Sequence, residues 1–113
     1  MRWFLRSKIH KATVTDEKLD YIGSIGIDKA LIEIVDLFPG EKVLVVDNTN
    51  GARLETYVIE EEKNSGKIVM YGAASRLIKK GDEIIIMGFE LSDKPINQKN
   101  ILVDKNNKFI KFL

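Results

Sequence analysis

The stretch "KVLVVDNTNGARLETYVIEEE" (residues 42–62) decides the fold. Its first part, "KVLVVD" (42–47), is a continuous apolar, β-branched run of the kind a strand buried on both sides carries. Its last part, "ARLETYVIEEE" (52–62), alternates, with Leu54, Thr56 and Val58 opposed to Arg53, Glu55 and Tyr57. Between them, "TNG" (49–51) holds an Asn-Gly pair that tolerates positive φ and suits a tight hairpin. Two strands joined by a turn therefore stand near the middle of the chain.

Working outward, the same signals recur. "DEIIIMGF" (82–89) is a second doubly buried run. "KIHKATVT" (8–15) alternates so that His10, Ala12 and Val14 share one face, while "KIVMY" (67–71) and "KFIKFL" (108–113) are further strand candidates. "NSG" (64–66), "KKGD" (79–82) and "DKNN" (104–107) are turns, and "LSDKPINQKN" (91–100) reads as a surface connection. One helix is predicted: Asp28 caps "KALIEIVDL" (29–37), Leu31, Ile34 and Val35 form its apolar stripe, and "FPG" (38–40) stops it. A helical turn is also expected at "AASRLI" (73–78). About six short strands with one or two short helices make a mainly β chain, a compact barrel in a single domain, 1–113.

Composition removes whole classes of function. Eighteen basic and 17 acidic side chains leave a net charge of +1, which provides no broad field for nucleic acid or an anionic membrane. With no cysteine there is no disulfide and no thiolate chemistry, and a single histidine, His10, argues against a metal centre. Neither GxxxxGK[ST] nor GxGxxG occurs. No window approaches the roughly 20 apolar residues that cross a bilayer, and "MRWFLRSKIHK" (1–11) has no signal-peptide core, so the cytoplasm is the expected location.

The candidate chemistry begins at "DYIGSIGID" (20–28). Gly23-Ser24 alone is an ordinary turn or a lead into the helix. Its alternative is reactive: a serine hydroxyl can attack the carbonyl of the residue before it, and glycine there allows backbone shapes that a Cβ forbids. An ester formed in this way can eliminate, cutting the chain and leaving dehydroalanine, which hydrolyses to ammonia and a pyruvoyl group. Arg53 and Lys8 are the cations to weigh, each more often merely solvated than functional. Thr56 and Tyr57 follow Arg53 on one strand, and Tyr57 is a proton-donor candidate. His10 suits a structural hydrogen bond better than a catalytic role. "YGAAS" (71–75) is either a tight strand-to-helix connection or a small-residue step that admits a ligand to backbone N–H groups.

Taken together, "SKIHKATVT" (7–15), "LDYIGSIGID" (19–28), "NGARLETYVI" (50–59), "GAASRLIKKGDEIII" (72–86) and "VDKNN" (103–107) resemble the aspartate 1-decarboxylase family in order and spacing. That resemblance implies a six-stranded double-psi β-barrel and self-cleavage between Gly23 and Ser24, giving a β chain 1–23 and an α chain 24–113. It implies a homotetramer with active sites between subunits, and it leaves room for a maturation factor. The implied reaction turns L-aspartate into β-alanine and carbon dioxide for pantothenate, and so coenzyme A, biosynthesis. Its cofactor is a covalent pyruvoyl group derived from Ser24, which also forms the Schiff base, with no metal and no pyridoxal phosphate. Carried over by residue, Tyr57 is the proton donor. Lys8, Arg53, Thr56, Gly72, Ala73 and Ala74 contact substrate, and Gly23, Ser24 and Thr56 serve processing. Tyr71 departs from the asparagine common in the family, and the N-terminus is one residue shorter than the common form. The alternatives are a pyruvoyl decarboxylase of another amino acid and a non-catalytic barrel that binds or assembles.

Overall fold

A computed structural model describes residues 1–113. The strands are β1 (Arg2–Thr13), β2 (Asp16–Lys18), β3 (Ser24–Asp28), β4 (Lys42–Asp47), β5 (Arg53–Glu61), β6 (Ile68–Tyr71), β7 (Glu83–Ser92), β8 (Lys99–Val103) and β9 (Phe109–Phe112). Helix α1 (Lys29–Val35) separates β3 from β4, and a 3-10 turn (Gly72–Arg76) follows β6. All nine strands hydrogen-bond in the order β2-β6-β3-β5-β4-β7-β1-β8-β9. The mainly β class expected from the patterning is found, with β2, β3 and β8 added to the six strands it located.

The central hairpin forms as the opening stretch predicts, but through a longer loop. Val43 faces Thr56 and Val45 faces Leu54 across β4 and β5. The loop closes where Asp47 N–H donates to Ala52 at 2.8 Å and Gly51 N–H returns to Asp47 at 2.8 Å. Gly51 takes φ +78°, whereas Asn50 keeps negative φ and uses its Oδ1 to accept from Ala52 N–H. The asparagine therefore works through its side chain.

Two expectations about β1 and α1 are corrected. Lys11 adopts φ +64°, and the pairing with β7 slips between Ile9 and Ala12. This irregularity resets the alternation, so Ser7, Ile9, Ala12 and Val14 face the core and His10 does not share the face of Ala12 and Val14. In α1, Asp28 caps as expected, its Oδ1 accepting from Ala30 N–H at 2.8 Å. The same carboxylate accepts from Asn64 and Gly66 N–H, which pins the 64–66 turn to the helix start. The helix ends before "FPG": Asp36 turns left-handed at φ +63° and donates its N–H to Ile32. Its buried stripe is Leu31, Ile32 and Val35, with Ile34 only partly covered.

β3 explains the arrangement around Ser24. Ile25 and Ile27 enter the core, and β3 pairs in parallel with β5 and antiparallel with β6. Opposite the core, alternation leaves Ser24, Gly26 and Asp28 on one face. The second connection, 91–100, is shorter than expected: β7 runs on to Ser92, and β8 begins at Lys99 and lies parallel to β1.

Candidate active site

Ser24 is 1% exposed and stands opposite Tyr71 in the β3–β6 pair. On the other side, β5 pairs Val58 with Ile25, so Tyr57, one residue earlier, occupies the same face as Ser24. Tyr57, Ser24 and Tyr71 thus form one row across three adjacent strands. The Ser24 hydroxyl donates to the Ile22 carbonyl at 3.2 Å, turned back along its own chain.

The peptide before Ser24 is gripped from the other side by the 3-10 turn. Gly72 takes φ +70°, and a Cβ there would stand 2.7 Å from Gly23 Cα, 2.9 Å from Gly23 N and 3.0 Å from the Tyr21 carbonyl. Only glycine permits both that backbone shape and that approach. The turn is fixed by Ser75, whose hydroxyl donates to the Gly72 carbonyl at 2.7 Å. Ala73 and Ala74 follow directly in the turn.

Tyr71 is buried, and its hydroxyl donates to Glu61 at 2.8 Å. Burial, then the hydrogen bond to Glu61 and that carboxylate's charge, push the phenol up to about 12, so it remains a donor at neutral pH. Its ring packs on Tyr21 with centroids 4.8 Å apart.

The two cations fall in different places. Lys8 lies on β1 opposite Met87, Met87 lies opposite Leu44, and Leu44 lies opposite Glu55. Arg53 is exposed on β5 opposite Val46, which faces Ile85. Neither cation makes an ion pair within the chain. In the sheet order β5, β4 and β7 separate β3 from β1, so Lys8 does not sit beside Ser24 by strand pairing. His10 shares the Lys8 region. Burial lowers its pKa first, with Lys8 and Lys11 acting in the same direction and Glu83 opposing, and its Nδ1 is buried without a partner.

Three residues that pattern reading passed over belong to this region. Lys42 stands opposite Tyr57 and, with Glu55, Thr56 and Tyr57, lines an open cavity of about 280 Å³. Hairpin register would have found it. Glu61 and Gly26 were signalled by a glycine in mid-strand, which marks the close approach of another group. No cluster of three or more His, Asp or Glu side chains is positioned for a metal ion.

The fold and the site define a mainly β protein with a buried serine, Ser24, and with Gly72 packed against the Gly23 that precedes it. The chain matches the family described as "Aspartate decarboxylase" over residues 1–110. "Aspartate 1-decarboxylase" of Acetivibrio thermocellus is 52% identical over 110 residues, covering 94% of this chain and 87% of that protein. The protein of the same name from Thermoanaerobacter pseudethanolicus is 50% identical, covering 95% of each, and that from Staphylococcus epidermidis is 46% identical over 100% of this chain and 91% of its own length. The chain belongs to the aspartate decarboxylase family.

Proposed function

We infer that this chain decarboxylates L-aspartate to β-alanine and carbon dioxide, the step that feeds pantothenate synthesis, after cutting itself between Gly23 and Ser24. The observation that carries the reading is the setting of that dipeptide: a buried hydroxyl turned back on its own chain, with Gly72 packed against Gly23.

The processing chemistry follows from that setting. Ser24 Oγ attacks the Gly23 carbonyl carbon, and the Gly23–Ser24 C–N bond breaks as the nitrogen takes up the hydroxyl proton. Loss of the Ser24 α-proton then expels the ester oxygen from Cβ. This frees 1–23 with a C-terminal carboxylate and leaves dehydroalanine at position 24. Tautomerisation and water addition release ammonia and leave a pyruvoyl group on 24–113. Thr56 helps to arrange the Gly23 carbonyl.

The residues present fit that group, because it arises from Ser24 within the row that also holds Tyr57. The pyruvoyl group supplies an electron sink for the pair left by departing carbon dioxide. Tyr57 delivers the proton that replaces the lost carboxylate. Thr56 and the Gly72–Ala73–Ala74 backbone orient substrate, and Lys8 and Arg53 hold its carboxylates. Arg53 lies on β5, next to the Ser24 strand, but β5, β4 and β7 separate Lys8 from that strand, so a site that includes Lys8 joins two copies, as in a homotetramer. The half-buried apolar strip Leu44, Val46, Ile85 and Met87 on the outward face of β4 and β7 supports that assembly. The reaction is placed in the cytoplasm, and no helix of the chain is long and apolar enough to cross a membrane. The Tyr71 hydroxyl is committed to Glu61, which favours aspartate over a substrate selected by a free phenol.

Intact-mass analysis tests the reading. Two fragments divided after Gly23, the larger without an N-terminal amine, are expected, together with carbon dioxide release from aspartate well above that from glutamate. One chain persisting after prolonged warming would overturn it.

A further inference from the structure

Gly26 lies in the middle of β3, on the face that carries Ser24. A Cβ at this position would collide with Glu61 Oε2, with the next two atoms of that side chain at 2.8 and 2.9 Å. The Glu61 side chain therefore lies across β3 in a slot that only glycine leaves open. It reaches the Tyr71 hydroxyl on β6, two strands away from its own backbone.

Glu61 makes no ion pair, so the Tyr71 hydroxyl is its only partner within hydrogen-bond distance. A carboxylate acceptor binds a phenol more strongly than a neutral one. Tyr71 directly precedes Gly72, and Tyr21, whose ring packs on that of Tyr71 at a 40° tilt, lies two residues before Gly23. The two segments that meet at the Gly23–Gly72 contact are thus joined a second time through the Tyr21–Tyr71 ring contact, and Glu61 fixes where the Tyr71 ring stands.

We propose that Glu61 is a positioning residue for chain cleavage: by holding the Tyr71 hydroxyl across the slot at Gly26, it keeps Gly72 against Gly23 and the Gly23–Ser24 peptide in the shape that hydroxyl attack requires. The proposal rests on the self-processing reading. Small errors in the placement of reacting atoms cost on the order of 100-fold in rate, so loosening one tether should slow cleavage without stopping it.

The test follows cleavage of freshly purified precursor by intact mass at one temperature, alongside unfolding temperature. Glu61→Ala and Tyr71→Phe should each slow cleavage by roughly tenfold. The double variant should be no slower than either single one, because both remove the same bond. Glu61→Gln, which keeps an acceptor, should recover most of the rate, and Gly26→Ala, which displaces the carboxylate, should behave like Glu61→Ala. Cleavage within twofold of the parent in the single variants would overturn the proposal. So would additive slowing in the double variant, or a Glu61→Gln protein as slow as Glu61→Ala. A parent chain that never cleaves overturns both this proposal and the self-processing reading, whereas a cleaving parent matched by its variants overturns this proposal alone.

Discussion

The outward faces of the two halves of the sheet are finished differently. Around β5, β3 and β6 the buried polar groups are partnered within the chain: Ser24 with Ile22, Tyr71 with Glu61, and Asp28 with three backbone N–H groups. Around β4, β7, β1 and β8 some are not. Lys8 has no ion pair, and His10 Nδ1 and Asn100 Oδ1 are buried without partners. Trp3, 68% exposed, borders an open groove of about 510 Å³ with Leu44 and Phe89. Buried polar atoms left unpaired cost free energy, and exposed apolar strips mark contacts with other molecules. The difference teaches that the chain completes the setting of Ser24 by itself, while the face bearing Lys8 leaves polar and apolar groups without partners.

The sharpest way to break this division is Ser24→Ala. Removing the hydroxyl should abolish cleavage and all aspartate decarboxylation while leaving the fold intact, since Ser24 makes one side-chain bond of 3.2 Å and faces away from the core. Any β-alanine formed by the purified variant would remove Ser24 from its role. Tyr57→Phe comes next: cleavage should proceed, and turnover should fall about 100-fold, the lower end for loss of a positioned proton donor. An unchanged kcat would exclude the phenol.

Ile85→Asp probes the other face. Ile85 is partly buried and points away from the core, so the single chain should fold and its Gly23–Ser24 setting should persist. A charge in the middle of the apolar strip should disrupt assembly and lower activity at least tenfold, on the order of 1.4 kcal/mol in transition-state stabilisation. Sedimentation and intact mass read the two outcomes separately. A variant that assembles and turns over normally would show that the strip has no part in joining copies.

How far the sequence could be read follows the same division. Continuous β-branched runs located β4 and β7, alternation located β5, and Asp28 announced α1, because in each the local pattern and the tertiary demand agree. β3 was hidden because it opens beside a turn signal and carries Gly26, and that glycine answers to Glu61 on a strand far away in sequence. Lys11 hid the true face of His10, since a left-handed lysine leaves no mark in a pattern of apolar residues. β8, with Ile101 and Val103 as its core contacts, depends on β1 to become a strand. At the site, Tyr57, Thr56 and the Gly72 turn were legible as chemistry-bearing types. The separation of Lys8 from Ser24 was not, because linear order says nothing about which strands lie side by side.

His10 gives the smallest effect and bears on the unfinished face alone. Burial, with Lys8 and Lys11 adding to it against Glu83, lowers its pKa in the folded chain. An unfolded histidine takes up its proton near pH 6.5, so below that value the unfolded state binds more protons and folding weakens as the pH falls; above it, His10 contributes no slope. His10→Gln removes this titration. Compared with the parent, the variant should lose less stability between pH 7 and 5, measured by denaturant unfolding at each pH, while the two run parallel between pH 7 and 8. Equal slopes below pH 6.5 would mean that His10 is as free to protonate folded as unfolded. Repeating the comparison in the Ile85→Asp background asks whether a second copy deepens the burial. If it does, the acid-side difference between histidine and glutamine should shrink once assembly is lost, and an unchanged difference would place the whole effect within one chain.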